Sequence, residues 1–309
     1  MVVSFISQVE KPEQWLPELE QRLPDLKFSV HSGLSDLGEI EIALVAKPQP
    51  GVLATLPRLK FIQSLWMGVN DLLSDEIFPR HIPLSRLVDP GMVSAMGETV
   101  LAHVIDLHRD LHHYRNQQTR REWCKFPQRR AKECRVGILG LGVLGTDAAK
   151  KLRALGFQVS GWSRRLKTID GIDGYTGVEG LKSLLSGTDI LICLLPLTNS
   201  TMGIINKSLI AELPRGASVV NLSRGAHVVE QDLLDALDSG HLSRAVLDAF
   251  NVEPLASIHP FWAHPSITVT PHVAAITDPV TSIPEVVENI ERVCSGRQPR
   301  YLVDVKSGY

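Results

Sequence analysis

The chain has 309 residues, 44% of them hydrophobic and 21% charged, with a net charge of −2, a composition that suits a globular protein with room for two domains. The near-neutral balance excludes a global basic field, so neither nucleic acid nor an anionic membrane is an expected partner. The most apolar run, Ile190 to Leu197, is strand-length and far short of a membrane span.

Met1 to Ile6 lacks a basic lead-in and reads as a first strand, not as a signal peptide. Further strands are predicted at Phe28 to Val30, Ile42 to Ala46, Phe61 to Ser64 and Ile82 to Leu87. Strands that alternate with helical segments argue for a parallel sheet. A long helix is predicted from about Met92 to Gln118, with Val100, Leu101, Val104, Ile105, Leu107 and Leu111 apolar at helical spacing.

His112-His113 and Glu122 in and beyond it could suggest a metal. Consecutive helical positions point in different directions, so a polar helix face is expected instead and no metal site is assigned. Arg120, Arg121, Lys125, Arg129, Arg130 and Lys132 then form a basic connector that reads as a solvated loop. Four cysteines, Cys124, Cys134, Cys193 and Cys294, lack C-x-x-C pairing and zinc spacing, so reduced thiols in a cytoplasmic protein are expected.

A second alternating unit follows, with strands predicted near Arg135 to Leu139, Gln158 to Trp162, Ile190 to Leu194, Ser218 to Asn221, Ala245 to Leu247 and Ile267 to Val269, then a helix from about Val280 to Cys294. Its first strand runs into Gly140-Leu141-Gly142-Val143-Leu144-Gly145, a G-x-G-x-x-G spacing between a strand and a helix. Gly140 allows the tight turn, Gly142 lets the backbone approach a pyrophosphate and Gly145 lets the helix pack on the strand. The N–H groups of the first helical turn, which Val143 and Leu144 open, would hold the phosphates.

An NAD site has an Asp or Glu about 20 residues beyond the glycines, where it binds the ribose hydroxyls. Here the second strand ends in Ser163-Arg164-Arg165. A hydroxyl and two guanidinium groups suit a 2′-phosphate, so NADP(H) is expected in preference to NAD(H).

Three later strands each end in a polar group: Arg224 after Val219 to Asn221, Glu253 after Val246 to Asp248, and His272 after Thr268 to Thr270. Ligands of open α/β sheets sit beyond the carboxyl ends of the strands. Arg224, Glu253 and His272 all lie where that crevice is expected.

The ordered set of the glycine turn, Leu195-Pro196-Leu197-Thr198, Asn221-x-Ser223-Arg224-Gly225, Asp248-x-Phe250-x-x-Glu253-Pro254 and Thr270-Pro271-His272 resembles the D-2-hydroxyacid dehydrogenase family. Met92 to Glu98, His259-Pro260-Phe261-Trp262 and the Gly-Tyr end are similar to its glyoxylate/hydroxypyruvate reductase A branch. The resemblance implies an α/β fold of two doubly wound parallel-sheet domains. A flavodoxin-like substrate domain would span 1–98, completed by 278–309, and a Rossmann-type NADP-binding domain 99–277.

It further implies Arg224, Glu253 and His272 as catalytic residues: His272 would give a proton to the oxyanion that hydride addition to a 2-keto carbon leaves, Glu253 would pair with it and favour the protonated imidazole, and Arg224 would supply the fixed cation that the acid needs. Leu195, Pro196, Thr201 and Asp248 would lie along the cofactor, and Met67, Gly68 and Val69 would join Arg224 in binding the substrate carboxylate. A homodimer acting on a small 2-keto or 2-hydroxy acid is implied as well. Trp66, Met67 and Asn70 depart from the branch pattern. Trp66 and Met67 leave as an alternative an NAD-linked dehydrogenase of a larger apolar 2-hydroxy acid; a rival of another class is a nucleotide-sensing regulator of the same fold, against which Arg224, Glu253 and His272 together argue.

Overall fold

The computed structural model describes residues 1–31 and 37–309. The chain divides into two compact units, one of residues 1–92 and 277–309, the other of residues 93–276. The expected division at 98/99 lies six residues further along the helix in which the chain actually divides.

The first unit holds a five-stranded parallel sheet of β1 (Val2–Ser7), β2 (Lys27–Val30), β3 (Ile40–Ala46), β4 (Phe61–Ser64) and β5 (Leu84–Ser85), in the order β2-β1-β3-β4-β5. This is the flavodoxin-like strand order. All seven residues of β3 are buried, as a strand covered by helices on both faces requires. Its helices are α1 (Leu16–Arg22), α2 (Asn70–Leu73) and the start of α3 (Pro90–His108). The predicted strand over 82–87 shrinks to two residues, because Pro83 has no N–H to give a ladder and β5 lies at the sheet edge.

The second unit holds β6 (Arg135–Leu139), β7 (Gln158–Trp162), β8 (Asp173–Tyr175), β9 (Ile190–Cys193), β10 (Ala217–Asn221), β11 (Leu242–Leu247) and β12 (Ile267–Val269). Their order, β12-β11-β10-β9-β6-β7-β8, is parallel throughout and reverses direction at β6. It is the doubly wound dinucleotide-binding order with one added strand. Both sheets are therefore of the α/β class that the alternation predicts. β8 escaped the sequence reading because Asp-Gly-Tyr carries no apolar alternation, and only its pairing with β7 makes it a strand.

The helices of this unit are α4 (Leu111–Arg120), α5 (Val143–Ala154), α6 (Gly177–Ser186), α7 (Lys207–Ala211) and α8 (Glu230–Asp238); α9 (Pro279–Cys294) returns to the first unit. There Ile283, Val286 and Ile290 of α9 pack with Val3, Phe5, Ile42 and Leu44.

The long helix expected over 92–118 is two helices. Asp110 takes a left-handed φ of 53° between α3 and α4, a conformation Asp tolerates better than most residues. The apolar period runs on through Leu111 and so conceals the break, yet Leu111 itself is exposed. No described helix is long and apolar enough to cross a membrane.

Candidate active site

Strand β6 delivers the glycine turn. Gly140 has φ of 104°, and a Cβ on Gly145 would stand 1.9 Å from the Gly140 carbonyl oxygen, so α5 can start this close to β6 only with glycine there. Gly142 differs from both. Its φ of −72° suits any residue, and a Cβ there would meet no protein atom within 4 Å. The fold itself makes no demand for glycine at this position, while the open space before the first turn of α5 suits the close backbone approach of a phosphate. Val143 and Leu144 form that first turn, with Val143 exposed.

At the end of β7, Ser163 is half-buried and its hydroxyl donates to the Arg165 carbonyl at 2.7 Å, while Thr176 Oγ1 donates to the Arg164 carbonyl at 3.0 Å. The turn is thus built from its own hydroxyl and carbonyl groups. Both guanidinium groups stand on the exposed side.

After β9 the chain turns through Leu195 to Thr201. Thr201 is buried and fully used within the turn: it donates to the Pro196 carbonyl at 2.7 Å and accepts from the Thr198 N–H at 2.8 Å. Ser223 Oγ donates to the Leu195 carbonyl, joining this turn to the end of β10. Thr201 therefore shapes the segment that carries Leu195 and Pro196.

Asn221 at the end of β10 donates from Nδ2 to the Arg224 carbonyl at 2.8 Å, and Arg224 donates to the Ser223 carbonyl at 2.8 Å. A Cβ on Gly225 would lie 2.0 Å from the Phe250 carbonyl carbon. Glycine at 225 thus brings the Arg224 turn against the segment after β11.

Two residues there do different work. Asp248 is buried, and its carboxylate accepts from Thr270 Oγ1 at 2.6 Å, Val273 N–H at 2.9 Å and Ala274 N–H at 3.0 Å. It clamps the loop that presents His272, whose φ is 54°. Glu253 accepts from the Phe250 N–H through Oε1 at 2.9 Å and pairs through Oε2 with His272 Nδ1 at 2.8 Å. Both side chains stay partly exposed. Strand ends β10, β11 and β12, which are neighbours in the sheet, thus deliver a guanidinium, a carboxylate and an imidazole.

Sequence reasoning missed His227. It is fully buried, with Nδ1 at 3.1 Å from the Arg224 carbonyl and Nε2 at 3.3 Å from the Pro196 carbonyl, so it ties the Arg224 turn to the Leu195–Pro196 turn. Burial holds its pKa below the usual imidazole range, against the two carbonyls. A histidine three residues after Arg224 and followed by Val228-Val229 was the available signal.

In the first unit, Met67, Gly68 and Val69 lie between β4 and α2. The Val69 side chain is buried in the core, so what it can offer a ligand is backbone. Among the described residues, the N–H groups of these three residues meet no acceptor. The preceding Trp66 is fastened by its indole N–H to Glu10 Oε1 at 2.9 Å.

The polar-face reading of His112-His113 is corrected. His112 is buried and its ring lies 4.1 Å from that of His113; Glu122 pairs with Arg120 at 3.2 Å instead. Of the connector's other cations, Arg129 pairs with Asp189 at 3.2 Å and Arg130 with Glu133 at 2.8 Å. All four cysteines are free thiols; burial pushes Cys134 up to about 11 and Cys193 up to about 12.

Residues 101–274 match the family described as D-isomer specific 2-hydroxyacid dehydrogenase, NAD binding domain. Glyoxylate/hydroxypyruvate reductase A of Yersinia enterocolitica is 40% identical and that of Serratia proteamaculans 41%, each with all of both chains covered. A D-isomer specific 2-hydroxyacid dehydrogenase of Xanthobacter autotrophicus Py2, solved with NADPH and MES, superposes with a TM-score of 0.96 at 39% identity, over 100% of this chain and 99% of that one. The NADPH-dependent glyoxylate/hydroxypyruvate reductase of Sinorhizobium meliloti, solved with NADP and sulfate, gives 0.93 at 36% identity and the same coverage.

Proposed function

Because the chain belongs to the D-isomer specific 2-hydroxyacid dehydrogenase family, we propose that it reduces a small 2-keto acid, glyoxylate, hydroxypyruvate or a close relative, to the D-2-hydroxy acid with NADPH. The observation that carries this reading is the 2.8 Å bond between His272 Nδ1 and Glu253 Oε2, on strand ends next to that of Arg224. A regulator that only senses a nucleotide has no use for a buttressed imidazole beside a fixed cation.

Gly140, Gly142, Val143, Leu144 and Gly145 would hold the pyrophosphate, Ser163, Arg164 and Arg165 the 2′-phosphate, and Leu195 and Pro196 the nicotinamide half, on a turn shaped by Thr201. Asp248 acts on that half through the His272 loop that it clamps. NADPH supplies, when bound, the hydride that goes to the keto carbon. Arg224 pairs with the substrate carboxylate and polarises its carbonyl. Met67, Gly68 and Val69 offer backbone N–H groups of the kind a carboxylate accepts.

Glu253 accepts a hydrogen bond from the Nδ1–H of His272, which orients the ring and leaves Nε2 as the nitrogen that hands its proton to the developing alkoxide. Glu253 then balances the positive ring before transfer. The reading extends to a homodimer, measurable by light scattering.

The test is loss of NADPH or NADH absorbance with a panel of 2-keto acids, from glyoxylate and hydroxypyruvate to larger apolar acids, followed by chiral analysis of the product. Faster turnover with NADPH and small acids, giving the D-isomer, is expected. Cofactor binding without turnover of any acid overturns the proposal, and preference for NADH with apolar acids replaces it by the NAD-linked alternative.

A further inference from the structure

We propose that Asp110, His112 and His113 form a binding site for a divalent transition-metal ion of the zinc type. The site lies at the bend between α3 and α4. The left-handed backbone of Asp110 breaks the helix there, and the Asp110 carbonyl then accepts the N–H groups of His113 at 3.0 Å and Tyr114 at 3.3 Å. This compact turn gathers three side chains that lie within four positions of one another.

One ligand atom from each, a carboxylate oxygen and two imidazole nitrogens, lies within 4.8 Å of the other two. Tetrahedral coordination at zinc distances needs ligand atoms about 3.3 Å apart. The exposed side chain of His113 can close that gap by rotation within its turn.

His112 is the independent observation. It is only 6% exposed, and neither of its ring nitrogens has a hydrogen-bond partner. A neutral imidazole carries one donor and one acceptor, and leaving both unpaired in a protein interior is costly. Coordination uses the acceptor nitrogen and gives the burial a purpose.

The neighbouring charges are mixed. Arg115 is ion-paired with Asp106 at 2.6 Å, and the fields of Arg244 and, more weakly, Arg115 reach His112 and oppose a cation. The negative charge of Asp106 acts in the opposite sense at His112. Two imidazoles and one carboxylate suit zinc, cobalt, nickel or copper and do not suit magnesium or calcium, which prefer oxygen. Three protein ligands leave a fourth position for water.

The test uses tag-free full-length protein, stripped with chelator and titrated with zinc chloride by calorimetry, with cobalt chloride as the spectroscopic probe. Expected are one zinc per chain, cobalt absorption bands of a nitrogen-oxygen site, and a zinc-dependent rise in Tm, since a ligand of the folded state stabilises it. His113→Gln and Asp110→Asn, both at positions that are not buried, keep their metal-free Tm. Each weakens zinc by more than about tenfold, the low end of what even an outer-shell partner contributes. His112→Gln abolishes the site if it folds. Absence of stoichiometric zinc, unchanged affinity in either surface variant, or an equal Tm shift with magnesium overturns the proposal.

Discussion

Gly145 sits so close to Gly140 that a Cβ on it would stand 1.9 Å from the Gly140 carbonyl oxygen, whereas a Cβ on Gly142 would meet nothing within 4 Å. The two glycines therefore separate packing from ligand binding. Gly145→Ala is expected to destabilise the protein by about 1–3 kcal/mol, the usual cost of overpacking, seen as a lower denaturant midpoint. Gly142→Ala is expected to leave the midpoint of the cofactor-free protein unchanged and to weaken NADPH at least about tenfold, or about 1.4 kcal/mol. Equal NADPH affinity in Gly142→Ala would move the phosphate site away from this turn.

Ser163→Asp places a carboxylate where the β7 end now offers a hydroxyl and two arginines. The ratio of kcat/KM for NADPH over NADH is expected to exceed one in the wild type and to fall at least about tenfold in the variant. The measurement is a pair of cofactor titrations at fixed keto acid; an unchanged ratio places the 2′-phosphate elsewhere.

Arg224→Lys keeps the charge but loses the planar fork, so kcat/KM for the keto acid drops while NADPH affinity holds. Normal substrate use by this variant would remove Arg224 from the site. His272→Gln is expected to lose most turnover, with NADPH still bound. Glu253→Gln keeps the shape but not the charge that balances the ring, and its kcat should fall by about 10²-fold, within the range for general acid catalysis.

Asp248 holds the loop that carries His272 through its bonds to Thr270, Val273 and Ala274. Asp248→Asn replaces an acceptor oxygen by an NH2 group that faces donors. Lower kcat with faster amide exchange at residues 270–274 is expected. Exchange as slow as in the wild type would show that the clamp does not hold the loop.

Asp189 ties the start of β6 to the connector, accepting from the Arg135 N–H at 2.8 Å and from Arg129 at 3.2 Å. Burial pushes its carboxyl up, but the Arg135 hydrogen bonds and the Arg129 charge outweigh this and hold it below the usual range. A lowered carboxylate contributes stability above its unfolded pKa of about 3.9 that is lost as pH falls through the folded value. Asp189→Asn should therefore be less stable near neutrality, with the gap to wild type closing under acid. A constant gap in urea midpoints across that range would refute the linkage.

The sequence by itself determined the class of both sheets, most strand positions and the order of the site motifs. Those signals are local: apolar runs, a glycine spacing and strand ends that carry one polar group each. Phe61–Ser64, Arg135–Leu139, Gln158–Trp162 and Ile267–Val269 were legible to the residue for that reason. Only the tertiary structure decided what depends on distant neighbours or on one backbone angle. The φ of Asp110 broke a helix whose period ran on, and pairing to β7 made Asp173–Tyr175 a strand. The bonds by which Asp248 and Thr201 support the loops beside them were likewise decided only by the fold. Burial of His112 and His227 was equally hidden, because a polar residue's environment is set by the elements packed over it and leaves no periodic trace in the chain.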